Sequence, residues 1–197
     1  MAIKIQRCVR TLRLKVKAEG YAWLNAAATE VNQVWNYANA TSDKAARPFA
    51  GPAKWLSGFD LDKLTAGACE CLERIGSGTI QRINAEFATR RKQFKRSELR
   101  WRVSRGSKRS LGWILWKAVR LKRKGKVIRF SGNAFRVFEQ HLLEGGKCKS
   151  DCFAQDAVGD WWLCIPVEAA VSHTAAHRTA ARRRKDALHG KRKVYGR

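Results

Sequence analysis

A strand-like segment with no strand beside it in sequence constrains this chain most. In "MAIKIQRCVRTLRLKV", Ile3 and Ile5, then Leu12, Leu14 and Val16, are interleaved with lysine and arginine, the period-two pattern of a half-buried strand. Gly20 ends it. From Tyr21 to about Ala40 the apolar positions Leu24, Ala27, Ala28, Val31, Val34, Trp35 and Ala38 recur at threes and fours, which predicts an amphipathic helix. Strand character returns only after Trp113 and Trp116, in "KVIRFSG", "FRVF" and "CFAQDAVGDWWLCIPVE". There "DAVGD" reads as a turn between two strands rich in aromatic and β-branched residues. The economical topology pairs the first strand with this late β region, a sheet or barrel, and leaves the helices between about residues 21 and 100 as an insertion.

Within the insertion, "ARPFAGPAKW" carries two prolines and a glycine and cannot continue a helix, whereas "FDLDKLTAGACECLERI" resumes helical spacing through Leu61, Leu64, Ala68, Leu72 and Ile75. "GSG" at 76–78 breaks the chain again. The next helix, from about Thr79 to Arg96, has an apolar stripe of Ile80, Ile83, Phe87 and Phe94, while Arg82, Arg90, Arg91, Lys92, Lys95 and Arg96 crowd its other faces and last turns. Cations near a helix C-terminus gain only ~0.3–1 kcal/mol each from the macrodipole. Five of them in seven residues repel one another unless something negative neutralises them, which a phosphate backbone does.

The whole composition points the same way. Forty-one Lys and Arg stand against 16 Asp and Glu, a net charge of +25, and such a balance implies a polyanionic partner. Two segments hold nearly all of it: sixteen basic residues and one acid from Arg90 to Lys126, nine and one from Ser172 to Arg197. No apolar span of about 18 residues and no long amphipathic helix with a bulky apolar face accompanies the charge, so a membrane partner is not expected. The start lacks the apolar core of a signal peptide, and an intracellular, cytoplasmic location is expected. The six cysteines, Cys8, Cys69, Cys71, Cys148, Cys152 and Cys164, are then expected as free thiols. "CEC" and "CKSDC" depart from structural zinc spacings, so no metal site is assigned.

Catalytic chemistry finds little support. Two-metal nucleases need converging carboxylates that hold ions ~3.5–4 Å apart. Here Asp60 and Asp62 sit where helix capping explains them, Asp156 and Asp160 flank a turn, and Asp186 stands alone in a basic run. His173 and His177 are spaced i, i+4 without a third ligand, and His141 and His189 add none. No Cys/His or Ser/His arrangement and no glycine-rich phosphate loop is present. The isolated chain is expected to be no enzyme and to use no cofactor. Trp113, Trp116, Trp161 and Trp162 are expected in the core. Trp101, between Arg100 and Arg102, fits base stacking and packing equally.

The order and spacing of several stretches over about residues 1 to 168 resemble the N-terminal half of the TnpB family, transposon-encoded RNA-guided DNA nucleases, and its relatives among compact type V CRISPR effectors. An early strand followed by "EVNQVWNYAN" resembles the first recognition-lobe helix. "GSGTIQRINAEFATRRKQFKR" resembles the family's helix with Gln and two Phe at fixed offsets. "SLGWILWKAVRLKRKGKVIRFSGNAFRVF" with "CFAQDAVGDWWLCIPVE" resembles its wedge strands. The resemblance implies an α+β architecture: an oligonucleotide-binding-like β-barrel from residues 1–19 and 102–170, a helical recognition insertion at 20–101, and a basic tail at 171–197. It also implies a grip on structured guide RNA and on the guide–target duplex, with target DNA as a second partner, in a prokaryotic cell and at the nucleoid when DNA is bound.

The pattern departs from the family after "IPVE". A RuvC strand with its first catalytic Asp is expected there, but "AAVSHTAAHRTA" has no acid. "ARRRKDALH" then resembles the basic part of the family's bridge helix, so the tail reads as a remnant joined to the recognition half, or as a solvated charge run. Three readings follow: a nuclease-dead, truncated RNA-binding module; a subunit of a split nuclease whose RuvC carboxylates come from another chain, or a homodimer; and a transposon remnant without a selected role. The candidate nucleic-acid contacts are Arg82, Arg90, Arg91, Lys92, Lys95, Arg96, Arg100, Trp101, Arg102, Arg105, Lys108, Arg109, Lys122, Arg123, Lys124, Arg182, Arg183, Arg184 and Lys185.

Overall fold

The computed structural model describes residues 7–116, 122–124, 127–143, 147–148 and 152–170. Its first strand, β1 (Arg7–Lys15), is followed by α1 (Tyr21–Ala46), α2 (Gly58–Leu64) and α3 (Ser77–Phe94). The remaining strands are β2 (Trp113–Leu115), β3 (Lys122–Lys124), β4 (Val127–Phe130), β5 (Asn133–Phe135), β6 (Lys147–Cys148), β7 (Cys152–Gln155) and β8 (Trp161–Ala170). The chain is thus mixed α+β with antiparallel sheets, and the helices are inserted between the first strand and the rest.

The orphan N-terminal strand finds its partner at the far end of the described chain. β1 runs antiparallel to β8, from Arg7 opposite Ala170 to Lys15 opposite Trp162. The main sheet is ordered β1-β8-β7-β2, with β6 also paired to β8, and β3-β4-β5 form a second sheet. Among the described residues these two sheets do not close into a barrel. They are joined where β1 ends. Val16 donates its N–H to the Trp161 carbonyl at 2.8 Å and bridges to Val137, while Lys17 N–H reaches the Arg136 carbonyl at 2.9 Å. Aromatic rings fill the angle between the sheets: Trp116 stacks on Phe130 with centroids 4.2 Å apart, and Phe153 lies edge-on to both Trp116 and Phe130. The expected turn at "DAVGD" is present. Asp156 Oδ1 accepts the backbone N–H groups of Val158, Gly159 and Asp160, an Asx arrangement that satisfies the turn.

The apolar stripe of α1 is buried as its spacing predicts, with Leu24, Ala27, Val31 and Ala38 fully enclosed. The helix runs past Ala40 to Ala46 because nothing disfavours it before Arg47-Pro48, and a residue preceding proline is pushed out of the helical region. The expected helix through Ile75 is shorter. α2 opens on a capping box between Ser57 and Asp60 and ends at Leu64, where Thr65 Oγ1 bonds to the Leu61 carbonyl and Gly67 turns the chain at φ 79°. Residues 72–76 then run without helix or strand, with a bend at Glu73 and Arg74. Buried Glu30 accepts the N–H groups of Glu73, Arg74 and Ile75 at 3.3, 3.0 and 3.0 Å, so a carboxylate from α1 replaces the helical hydrogen bonds. "GSG" does not separate elements as expected either. Gly76 is the N-cap of α3, and Ser77 and Gly78 begin the helix.

Trp161 is fully buried and Trp116 nearly so, as expected, while Trp113 and Trp162 are half-buried. Packing on Trp161 dictates the glycine that leads into β2. A Cβ on Gly112 would lie 2.3 Å from the Trp161 ring, a separation no side chain tolerates.

Candidate nucleic-acid interface

Residues 95–112 connect α3 to β2 without helix or strand, and their course is set by α1. Asn32, Asn36 and Asn39 lie on one face of that helix at i, i+4 and i+7. Asn39 Oδ1 accepts the Leu99 N–H and its Nδ2 donates to the Leu99 carbonyl, both at 2.8 Å. Asn36 does the same for Arg102, again at 2.8 Å on both sides. Asn32 Nδ2 donates to Ser104 Oγ at 3.0 Å, and Trp35 Nε1 donates to the Arg100 carbonyl at 3.3 Å. The Asn36 and Asn39 amides thereby offer the donor and acceptor that a neighbouring strand would have offered. Beyond them, Ser110 N–H reaches the Val103 carbonyl at 2.7 Å and closes a turn in which Gly106 has φ 80°. The left-handed region there favours glycine, and the turn presents Arg105 and Lys108 to solvent.

This connector, the last turns of α3 and the edge formed by β2 and β7 enclose a groove of about 690 Å³. Its lining includes Arg90, Arg96, Arg100, Arg102, Lys108 and Arg109 and no carboxylate. Trp101, Phe94 and Trp113 supply aromatic surface beside those cations. A smaller hollow of about 400 Å³ against α1 adjoins it across Arg109, Ser110, Gly112 and Gln155. Two of the cations are fixed rather than free. Arg102 bonds through Nε to Asn32 Oδ1 at 2.5 Å and through Nη2 to the Leu111 carbonyl at 2.6 Å, with its guanidinium 5.7 Å from the Trp113 ring. Burial, and then the neighbouring Arg90, lower its pKa. Arg109 donates to Gln155 Oε1 at 2.8 Å, and that buried amide also bonds to Asn25 and to the Gly159 carbonyl.

The structure therefore gathers Arg90, Arg96, Arg100, Trp101, Arg102, Lys108 and Arg109 from the expected set. Trp101 is 46% exposed, with its indole N–H turned to Glu98 and a ring available to solvent. Arg90 pairs with Glu86 at 2.7 Å on its own helix. Lys92, Lys95 and Arg105 are exposed outside the groove lining. Arg82 is half-buried, its Nε without a hydrogen-bond partner among the described residues. Lys122, Arg123 and Lys124 form β3 in the second sheet. Arg182, Arg183, Arg184 and Lys185 lie outside the described residues, as does the reading of the tail as a bridge-helix remnant.

Arg91 requires a correction. It is 1% exposed, its guanidinium packs 4.5 Å from the Trp55 ring, and its Nη1 has no hydrogen-bond partner among the described residues. Burial lowers its pKa, opposed only by the attraction of Asp43. The physical reason is periodicity: Ile80, Ile83 and Phe87 lead by one further turn to position 91, not to Phe94, which is exposed and lines the groove.

Among the described residues the expected carboxylates are engaged structurally; Asp186 lies outside them. The Asp60 carboxylate completes the capping box of α2 by accepting the Ser57 N–H at 2.9 Å, and Asp62 accepts Asn84 Nδ2 at 2.9 Å. Asp156 accepts Trp162 Nε1 at 2.8 Å, and Asp160 accepts Lys15 Nζ at 2.5 Å and the Tyr21 hydroxyl at 3.0 Å. Among the described residues no three His, Cys, Asp or Glu side chains converge as a metal site requires. Nor is any helix among them long and apolar enough to cross a membrane. No protein-family model matches the chain, and no curated protein matches it.

Proposed function

We propose that the chain is a nucleic-acid-binding module that holds an RNA strand along the groove between α3, the 95–112 connector and β2. The observation that carries this reading is six cations and an exposed indole around one open groove that no carboxylate lines. Cations so arranged repel one another, and a phosphate backbone relieves that repulsion while releasing its own condensed counterions. The Asn ladder of α1 fixes the backbone that displays them, so little conformational entropy is lost when a strand docks. Trp101 supplies a face on which an unpaired base can stack.

The resemblance to the N-terminal half of TnpB-like nucleases gives this reading a more specific form. The two antiparallel sheets then stand as an open counterpart of the oligonucleotide-binding-like wedge, α1 to α3 form the recognition insertion, and the ligand is a structured guide RNA or a guide–target duplex.

The test is a salt titration of RNA binding to the full chain and to a variant with Arg96, Arg100, Lys108 and Arg109 replaced by serine. The variant is expected to bind one to three orders of magnitude more weakly. Its dependence of log K on log salt should flatten by up to ~0.7 per lost phosphate contact, the single-strand coefficient. Binding equal to the parent's, with the same slope, sinks the groove reading. RNA that copurifies as one defined species supports the guide-specific form; a random cellular mixture overturns that form.

A further inference from the structure

On the face of the main sheet opposite the core, an arginine and two cysteines stand in one row across three strands. Arg13 on β1 is paired with Cys164 on β8, and Cys164 is paired with Cys152 on β7. The buried side of the same strands carries Phe153, Leu163 and Ile165, so the two cysteines share the half-exposed side. Neither is held in a disulfide, and the two thiols share a hydrogen bond. Counting back from the Asp156 N–H to Asp160 carbonyl bond, alternate pairs place Cys152 opposite Cys164 in a hydrogen-bonded pair. Such pairs have Cα atoms about 5.5 Å apart, inside the range of about 4.4–6.8 Å that a disulfide spans.

We propose that Cys152 and Cys164 form a peroxide-sensitive dithiol, in which Cys164 is the attacking sulfur and Cys152 the resolving one. The sheet sets the two residues directly opposite each other, within the Cα separation that a disulfide spans. Arg13 is held over the site by the Trp162 ring, 4.8 Å from its guanidinium, and that ring is itself anchored by its N–H bond to Asp156. The hydrogen bond from Cys152 is the main cause that lowers the Cys164 pKa, to about 7. Burial opposes it, and the charge and hydrogen bond of Arg13 assist. A cation and a donor beside a thiol favour the thiolate, which is the reactive form.

The chemistry balances with hydrogen peroxide as oxidant. The Cys164 thiolate attacks one peroxide oxygen, an S–O bond forms, the O–O bond breaks, and hydroxide leaves to take up a proton. Cys152 then attacks the sulfenic sulfur. An S–S bond forms, the S–O bond breaks, and the oxygen leaves as water with the thiol proton. Two thiols are oxidised to one disulfide, and peroxide is reduced to two waters.

The test uses the full chain, treated with hydrogen peroxide, alkylated and digested without reduction. Asp156 and Asp160 lie between the two cysteines, so cleavage at aspartate leaves them on separate peptides joined only by the new bond. The expected product is that linked pair, lost on treatment with dithiothreitol. In Cys152→Ser, Cys164 should instead accumulate as sulfenic acid that dimedone traps. Arg13→Gln should slow linkage several-fold at neutral pH, with its rate converging on the parent's once the medium is alkaline enough to ionise the thiol unaided. Linkage through other cysteines at the same rate, oxidation of Cys164 to sulfinic acid in the parent without linkage, or no dimedone adduct in Cys152→Ser overturns the proposal. An unchanged rate in Arg13→Gln overturns the role given to the arginine.

Discussion

Residues 47–57 and 95–112 both run without helix or strand between regular elements, but they are held in opposite ways. The first is tied to α1 at its start, where Arg47 N–H bonds to the Asp43 carbonyl at 2.9 Å and the Arg47 guanidinium to the Asp43 carboxylate, and beyond that by the Lys54 N–H bond to the Ala45 carbonyl at 2.8 Å; it shows apolar surface outward. Phe49 is fully exposed and Trp55 is 53% exposed, with the buried Arg91 beneath its ring. The second has backbone groups answered by buried or half-buried amides of α1, and it shows cations outward. An irregular segment can thus be as firmly specified as a strand when side chains stand in for the missing ladder. The location of those side chains, not the composition of the segment, decides which connector can serve as a rigid display.

The largest effect that would break this contrast comes from Asn39, which is wholly buried. Asn39→Ala leaves both the N–H and the carbonyl of Leu99 without their partners, and each such group costs ~1–3 kcal/mol. We expect a loss of roughly 2–4 kcal/mol in denaturant unfolding, with weaker RNA binding under conditions where the variant is still folded. A change below ~0.5 kcal/mol, within the range of ordinary surface substitutions, would show that the connector does not depend on the ladder.

A smaller effect is expected at the end of the first connector. Ser57 Oγ accepts the Asp60 N–H at 3.2 Å, and Asp60 Oδ2 accepts the Ser57 N–H at 2.9 Å. Ser57→Ala should cost about 1 kcal/mol in thermal or denaturant unfolding, the usual loss for an N-cap, and leave RNA binding unchanged. The bonds from Ser57, first backbone and then side chain, and next that from Lys54, lower the Asp60 pKa to about 2. Since the folded pKa lies below the unfolded value near ~3.9, the contribution of this carboxylate is complete above that value and fades as pH falls through about 2. An NMR titration of the Asp60 carboxyl should find its midpoint well below that of an unfolded carboxyl, and higher in Ser57→Ala than in the parent. Equal midpoints would mean that the cap does not hold the start of α2.

How far the sequence discloses these features depends on how local their causes are. The α1 stripe and the Asp-bounded turn before Trp161 follow from periodicity and turn chemistry within a few residues, and the pairing of the first strand with the late β region follows from its having no strand beside it in sequence. The helical extent of 58–75 does not, because Glu30, more than forty positions away, captures the backbone of Glu73, Arg74 and Ile75. The Asn ladder has a visible trace in "EVNQVWNYAN", where amides recur at i, i+4 and i+7, yet a polar face on a helix ordinarily means solvent. Its meaning depends on a partner about sixty residues on. Of the candidate contacts, the groove cations were legible as a basic cluster, but which of them face one another was not. Arg91 sits on the apolar stripe itself, under Trp55, where its charge alone points to solvent.

That arginine gives the smallest expected change in stability and the sharpest distinction between the two connectors. Arg90 and Arg91 are adjacent in sequence, but Arg90 lines the groove while Arg91 lies under Trp55 of the first connector. A buried guanidinium with Nη1 lacking a partner among the described residues carries a desolvation cost that one ring and a distant Asp43 offset only in part. Arg91→Met keeps similar bulk against the ring and removes the charge. Such replacements are often neutral or stabilising by ~1–4 kcal/mol. We expect no loss in unfolding free energy and RNA affinity within about twofold of the parent, since one contact's worth of charge, ~1 in the salt slope at most, is not removed from the groove. Arg90→Met, in contrast, should weaken binding and lower the slope while leaving stability nearly unchanged, because the Glu86 pair it breaks is exposed and of small value. If Arg91→Met weakens binding as much as Arg90→Met, then Trp55 does not shield this cation from the ligand, and the first connector belongs to the interface as fully as the second.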